Sequence, residues 1–512
     1  MIYPQTNQAG SKGQTYKDPR DETKETRDEA KESRDQMKEA RDQVKGPRDW
    51  KKESHEQEKE SCDCNKESRD KTKESRDHTK ESRDEANTSP NQKIKLPLSF
   101  QLHNINIKVK TTSLSNTAKP SAFATALRKV VSPEGTVLLA LVDEGFVEMA
   151  INFYLTCIKP YNIQNYLILT MHNKTCETLR SYSIKCFQYR DDINGSTEAS
   201  NHGTKQFIDK MNVRTAMIIE ALKLGYSVLH SDIDMTYMKN PFHYINCTKG
   251  ECDMATLQDG DSLNAGFLLV HPSSLPVYNL MTYLSSAYPL VNDQIQLNLS
   301  AAMHQTLYPK FKQKRLSKRE FLCGKLFYKS GRYFADTMPP CPECVVVHNN
   351  WIVGLAAKVY RAKEVHQWQY DGNQYYTNTK RKYLTYENIA KLNRFAQYDV
   401  LKIALNFTQA LDRILILPKF YLGGKYERTL QSITNLNEFD GTYHGLYREH
   451  SFLTHPLVPE TVKKSVRKVT HSKDVETLQA LIQKCSRFTE SILVLDINIV
   501  SELMNATRTN GA

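Results

Sequence analysis

Past residue 120 the chain alternates short apolar runs with amphipathic stretches, the pattern of strands laid between covering helices. Val137-Leu138-Leu139-Ala140-Leu141-Val142 is apolar at every position, as in a strand buried on both faces. Residues 145–157 then turn to helical spacing. Tyr166 to Thr170 predicts a second strand, 174–182 a helix, and the neighbourhood of Cys186 a short third strand. The strongest helix lies at 205–224, where Phe207, Ile208, Met211, Ala216, Ile218, Ile219 and Leu222 are apolar and Gly225 sits just past the end. A strand running into Asp232 follows, with further strands at 265–270 and 344–347 and helices at 274–285 and 292–303. Together these predict an α/β fold, a mostly parallel sheet with helices on both faces.

A polar stretch rich in Gly, Asn and Thr at 371–381 marks a boundary. Beyond it, 386–411 reads as one long helix, Arg413 to Pro418 as a strand stopped by proline, and 491–496 as another strand. This tail is either a second, smaller α/β unit or an extension of the first sheet. The expected organisation is an arm at 1–120, a main unit at 121–375 and a C-terminal α/β extension at 376–512.

Residues 17–86 are ten tandem heptads of the type Lys-Glu-Ser-Arg-Asp-x-x. No two heptad positions are regularly apolar, so there is no coiled-coil seam to bury. Such a repeat arm is disordered or marginally helical. It carries 20 Lys+Arg against 23 Asp+Glu, so the net charge of +12 belongs to the rest of the chain. A basic globular part suits an anionic ligand or an acidic membrane surface. No basic helix or aromatic–basic stripe points to nucleic acid.

The sequence has no apolar window of about 18 residues, the length that spans a bilayer, and its first 20 residues lack the apolar core of a secretory signal. Yet Asn-x-Ser/Thr triplets occur at Asn87, Asn173, Asn194, Asn246, Asn298, Asn406 and Asn505, several in expected loops. With 11 cysteines, this composition predicts the lumen of the secretory pathway, with membrane attachment through a segment outside this sequence. Cys341-Pro342-Glu343-Cys344 lacks a second Cys-x-x-Cys to complete a zinc site, which favours a disulfide. Cys247 and Cys252 flank a loop short enough to bridge.

The candidate chemistry starts with Asp232 and Asp234. Strand side chains alternate faces, so acids spaced i,i+2 at the carboxyl end of a strand share one side. That end is where open α/β sheets bind ligands, and two hard oxygen donors there can hold a divalent cation. Lys210 and Arg214, one helical turn apart on the preceding helix, can meet phosphate oxygens. As a structural feature alone, such a pair is a solvated helix face. Asn264-Ala265-Gly266 places an amide just before a strand, and Asn292-Asp293-Gln294 opens a helix, where such residues are often only caps. His348-Asn349-Asn350-Trp351 follows a strand and leads to Gly354 and Lys358.

In ordered succession these segments resemble the nucleotide-diphospho-sugar transferase family, over about 135–370 of the chain. The likeness is to the retaining group that includes plant arabinosyl-, xylosyl- and galactosyltransferases of cell-wall material. It continues through Ala410 to Pro418 and Tyr447 to Leu453, and leaves out the heptads. The resemblance implies a GT-A, Rossmann-like fold and a Golgi enzyme that moves a sugar from a nucleoside-diphosphate donor, UDP-linked, to a glycan or glycoprotein acceptor. It implies Mn²⁺ (or Mg²⁺) held by Asp232 and Asp234, with His348 as third ligand. Lys210, Arg214, Asn264, Gly354 and Lys358 would serve the donor, and Asp143 the base or ribose. Asp293 and Gln294 would lie on the face of the sugar where a retaining enzyme needs a nucleophile or supports front-face attack. Here the histidine segment is longer than the glycogenin-like His-x-x-Gly spacing.

Two rival readings remain. Asp232-Ile233-Asp234-Met235-Thr236 also fits the Asp-x-Asp-x-Thr signature of haloacid-dehalogenase-like phosphatases, although there the motif ends the first strand. The other rival is a binding protein that keeps the fold without turnover.

Overall fold

The computed structural model describes residues 121–189, 204–329, 341–388, 392–422, 426–470, 478–496 and 498–499. Contacts divide the chain into Met1–Thr112 and Ser113–Ala512, and every described residue belongs to the second unit. The heptad arm, Cys62, Cys64 and the triplets at Asn87, Asn194 and Asn505 lie outside the described residues.

In chain order the elements are α1 (Ala122–Arg128), β1 (Thr136–Val142), α2 (Val147–Phe153), β2 (Tyr166–Thr170), α3 (Asn173–Ser181), β3 (Cys186–Gln188), α4 (Lys205–Lys223), β4 (Ser227–Ser231) and β5 (Met235–Tyr237). Next come β6 (Met254–Asp259), β7 (Ser262–Val270), α5 (Leu275–Ala287), α6 (Asp293–Leu307), β8 (Gln313–Arg315), β9 (Phe321–Leu322), β10 (Val346–His348) and α7 (Leu355–Glu364). The tail holds β11 (Tyr383–Tyr386), α8 (Arg394–Ala410), β12 (Ile414–Ile416), β13 (Phe420–Leu422), β14 (Tyr426–Arg428), α9 (Leu436–Tyr443), β15 (Tyr447–Arg448), α10 (Glu460–Lys464), β16 (Val466–Val469), α11 (Leu478–Ser486) and β17 (Ile492–Leu495).

The main sheet has seven strands in the order β3-β2-β1-β4-β7-β6-β8. All run parallel except β7, which is antiparallel to both β4 and β6. Strand β1 shows why its sequence is apolar throughout. Leu138, Ala140 and Val142 enter one hydrophobic cluster with Met149, Ala150 and Phe153 of α2. Val137 and Leu139 enter another with Met217, Ile218 and Ala221 of α4 and Val277 and Met281 of α5. Successive side chains thus feed cores on opposite faces, as strand geometry requires. The result is the expected α/β architecture, a mostly parallel sheet covered by helices. A small mixed sheet, β5-β10-β9, sits where the main chain leaves the acid pair.

The tail is not an extension of the main sheet. It forms its own sheet, β15-β12-β11-β17-β16, with every pairing parallel. Leu384, Leu415 and Leu493 pack under Val400, Leu401 and Ala404 of α8. Tyr383, Ile416 and Ile492 point the other way, into the cluster that also lines β1. The long helix expected at 386–411 is corrected by this sheet. Tyr383–Tyr386 is its central strand, and the helix starts only at Arg394, where the Asn393 side chain accepts from the Ala396 N–H at 2.9 Å.

Local departures have similar causes. The helix expected over 145–157 is split into a 3₁₀ turn, α2 and a π turn at Tyr154–Ile158. Asn298 and Asn406 lie inside α6 and α8 rather than in loops, and the Asn298 amide is tied to Leu263 backbone groups on both sides. Asn246 is in an exposed loop, as expected of an acceptor. Disulfides join Cys176–Cys186, Cys247–Cys252 and Cys341–Cys344. Among the described residues no helix is long and apolar enough to cross a membrane.

Candidate active site

The acid pair is delivered by a turn and not by the pleat of a strand. Strand β4 ends at Ser231, and Asp232 to Asp234 turn the chain into β5. The turn is pinned from both sides: the Asp232 N–H donates to the Gly266 carbonyl at 2.7 Å, and the Asp234 carbonyl accepts from the Asn349 N–H at 3.0 Å. The expectation of convergence holds, but its reason changes. Gly266 is required at this crossing, because a Cβ there would lie 2.4 Å from Asp232 Oδ2 and 2.7 Å from His348 Cε1.

His348 is the last residue of β10, which pairs with β5 and so faces the acids directly. Its Nε2 lies 3.3 Å from Asp234 and 3.9 Å from Asp232. The other ring nitrogen, Nδ1, is 3.1 Å from Asn264 Oδ1, which also accepts from the Gly266 N–H at 2.9 Å. An amide oxygen can only accept, so Nδ1 carries the proton and Nε2 presents its lone pair to the acids. Asn264 lies within β7 and not ahead of it, which is what holds its side chain beside the histidine.

Asp232, Asp234 and His348 offer ligand atoms within 4.8 Å of one another. Two carboxylates and an imidazole with a fixed tautomer form a donor set suited to a divalent cation.

Cations ring this cluster. Arg214 of α4 pairs with Asp232 at 2.5 Å and with Asp293 at the start of α6. Lys358 of α7 pairs with Asp234 at 2.7 Å. One turn before Arg214, Lys210 pairs with Asp143, just past β1, at 2.8 Å. The spacing of Lys210 and Arg214 therefore directs both inward, where both are buried. Burial works against charge on Arg214, but Asp232 and Asp293 outweigh it and raise its pKa above the ordinary value. Burial likewise opposes ionisation of Asp232, and the Arg214 guanidinium still holds it below the carboxylate range. For Asp234 the opposing burial is overcome chiefly by Lys358. Both acids therefore stay charged at neutral pH, which a metal ligand needs.

Asn292 is the cap of α6, accepting from the Ile295 N–H at 3.0 Å, whereas Asp293 turns inward to Arg214. The Gln294 side chain reaches Asn264 and the Ala265 N–H, each at 3.4 Å. Gly354 stands apart from these contacts. Its φ of +95° starts α7, and its open side is taken up by Asn437, whose Oδ1 would be 2.2 Å from an added Cβ.

Two residues of the site escaped the sequence reading. His230 is fully buried between the Leu139 carbonyl, Arg214 and Asp232. Its position two residues before Asp232 on a strand was the available signal. Burial lowers its pKa, so the ring is neutral. Its Nδ1–H donates to Leu139, and Nε2 accepts from Arg214. Asp259 accepts from the Trp351 indole and from Asn350 at 3.1 Å, and also contacts Gln294 at 3.5 Å. In the sequence Asp259-Gly260 reads as a hairpin turn, which hides this role.

Known proteins are similar to part of this chain. A UDP-galactose:fucoside alpha-3-galactosyltransferase of Dictyostelium discoideum is 25% identical over 46% of this chain and 43% of its own length. A UDP-D-xylose:L-fucose alpha-1,3-D-xylosyltransferase of Arabidopsis thaliana is 22% identical over 48% of this chain and 72% of its own. The chain thus spans less than half of the first relative. Among solved structures, the glycosyltransferase GlyE of Streptococcus pneumoniae TIGR4 aligns over 73% of this chain and 98% of its own, at 13% identity and a TM-score of 0.30. The fold description rests on the strand order given above. The family model of nucleotide-diphospho-sugar transferases matches residues 161–362, a segment that holds the acid pair, His348 and the cations paired with them, and in this segment the chain is similar to that family.

Proposed function

We propose that the protein is a divalent-metal-dependent glycosyltransferase that moves a sugar from a UDP-linked donor to a glycan or glycoprotein acceptor with retention at the anomeric carbon. The observation that carries this reading is the meeting of Asp232, Asp234 and His348 with Arg214 and Lys358 beside them. Asp232, Asp234 and the Nε2 of His348 would hold Mn²⁺ or Mg²⁺, which when bound supplies positive charge against a diphosphate. Cleavage of the sugar–phosphate bond leaves negative charge on the β-phosphate oxygens. Lys358 and Arg214 are the side chains placed to meet it, and each contact acting mainly in the transition state is worth about 3 kcal/mol, or about 100-fold in rate.

Asp293 is buried against Arg214, a poor setting for a nucleophile, so its role is to orient that guanidinium. Gln294 would then offer its amide to the sugar face, which favours attack by the acceptor from the front. The named relatives that act on fucose or a fucoside with UDP-sugars support a fucose-terminated glycan as the acceptor to try first. Three disulfides and the exposed Asn246 triplet support residence in the secretory pathway, in the Golgi.

The phosphatase reading has lost its support. The Asp-x-Asp pair follows the fourth strand of its sheet and not the first. The decisive experiment is a UDP-sugar hydrolysis and transfer screen with Mn²⁺, comparing the wild type with Asp234→Ala. Donor-selective turnover that falls at least about 100-fold in the variant, with an unchanged circular dichroism spectrum, is expected. Equal turnover in both proteins removes the assignment, and wild-type binding of UDP without turnover favours a binding protein.

A further inference from the structure

Two of the helices that cover one side of the main sheet, α5 and α6, carry almost no charge. Residues 275–309, covering α5, α6 and the turn between them, contain a single Asp, Glu, Lys or Arg, and that one is Asp293, which is buried. The exposed positions of α6 are Ile295, Leu299, Ala302, Thr306 and Leu307. A solvent-facing helix side is ordinarily polar or charged. Here Ile295 is 49% exposed and Leu307 54%, while Tyr283 of α5 and Leu290 in the turn reach 61% and 75%.

The sequence then changes abruptly. Residues 310–319 hold Lys310, Lys312, Lys314, Arg315, Lys318 and Arg319 with no acid among them. They pass through β8, the outermost strand of the main sheet. Among the described residues, the ion pairs of these six cations amount to one, Lys318 with Asp261 at 3.8 Å. Lysine on an edge strand deters pairing with another chain, which accounts for part of the basic run. It does not account for an uncharged helix face beside it.

We propose that α5, α6 and the basic segment 310–319 dock on a bilayer surface containing anionic lipid. The exposed Leu, Ile and Tyr side chains enter the headgroup layer while the cations meet lipid phosphates, the combination that interfacial binding uses. Charge decides between this occupant and a second copy of the chain. A two-fold contact can offer the face only what the face itself carries, uncharged helices and six cations, and two acids at its margin are already engaged, Asp261 by Lys318 and Asp253 by the Lys312 N–H. An anionic bilayer complements both halves. Because α6 begins at Asp293, docking holds the candidate active site beside the membrane.

Vesicle flotation of the full chain tests this, using phosphatidylcholine vesicles with and without phosphatidylserine. Binding is expected only with phosphatidylserine, and is expected to weaken as salt rises. Each cation near such a surface favours binding about fivefold, so K312E/R315E/K318E should bind at least about 100-fold more weakly. L299S/L307S, with all cations kept, should also bind more weakly. All five positions are exposed, and thermal melts matching the wild type check folding. Failure of the wild type to bind anionic vesicles overturns the proposal, as does undiminished binding by the charge-reversed variant. A wild-type dimer in light scattering that L299S/L307S dissolves, without vesicle binding, assigns the face to a second copy instead.

Discussion

The two larger sheets use their buried polar residues differently. Past the strands of the main sheet, ionised groups face each other in exchangeable pairs: Lys210 with Asp143, Arg214 with Asp232, Lys358 with Asp234. Around the second sheet, two buried cationic or ring side chains, Arg413 and His455, serve the backbone. Arg413 donates to the carbonyls of Tyr383, Phe488 and Glu490 at 2.9–3.1 Å. His455 joins the Trp368 carbonyl to the Leu457 N–H. A charged pair can trade one partner for a ligand of the same charge, whereas a capped carbonyl has nothing to exchange. A parallel sheet by itself therefore does not make a site.

The sharpest way to break this contrast is Gly266→Ala. The added methyl would overlap Asp232 Oδ2 and His348 Cε1, both side-chain atoms that can swing aside. The fold should survive and the ligand triad should not, with turnover down at least about 100-fold while the melting temperature stays close to that of the wild type. A variant with full activity would show that the triad geometry is not what matters. Asn264→Ala acts one step further out. It removes the acceptor that fixes the His348 tautomer, and Mn²⁺ affinity measured by calorimetry with UDP should fall about 10- to 100-fold.

Arg413→Leu is the counterpart in the second sheet. Three carbonyls, that of Tyr383 fully buried, lose their donor, and stability in urea should drop by about 3 kcal/mol. Turnover of the folded fraction should not change. A fall in turnover at constant stability would instead bring the second sheet into the chemistry.

Much of this contrast could be read from the residues, and the misses have physical reasons. Strands β1, β2 and β4 and helix α4 announce themselves because continuous apolar runs and 3.6-residue spacing are local signals. The acid pair was legible for the same reason, standing where an apolar run stops. What the pattern cannot carry is partnership across long separations. Arg214 and Asp293 are 79 residues apart, and only folding shows that one neutralises the other. Asp259 looks like a turn residue because its partners Asn350 and Trp351 come about 90 positions later. Strand β11 was lost because its four residues are too short a run to stand out between the polar boundary and the helical spacing, while the Asn393 cap is a weak local mark.

The remaining expected effect concerns pH, and His455 is its probe. This ring stacks on Tyr376 at 3.8 Å, donates through Nε2 to Trp368 and accepts through Nδ1 from the Leu457 N–H. Those bonds specify the neutral form, because a protonated Nδ1 would face another N–H. Burial is the larger cause that lowers its pKa to about 4, with His366 adding to it, against the weaker pull of Glu449 and Asp371. The unfolded chain binds this proton near pH 6.5 and the folded chain only near 4. The stability involved is therefore fully present above pH 6.5 and is lost as pH falls towards 4. Thermal melts across that window should show a steeper acid-side decline in the wild type than in His455→Asn, whose amide keeps one donor and one acceptor and does not titrate. Parallel curves for the two proteins would mean that the imidazole takes up its proton without opposing the fold, and that the second sheet tolerates a charge where its bonding pattern forbids one.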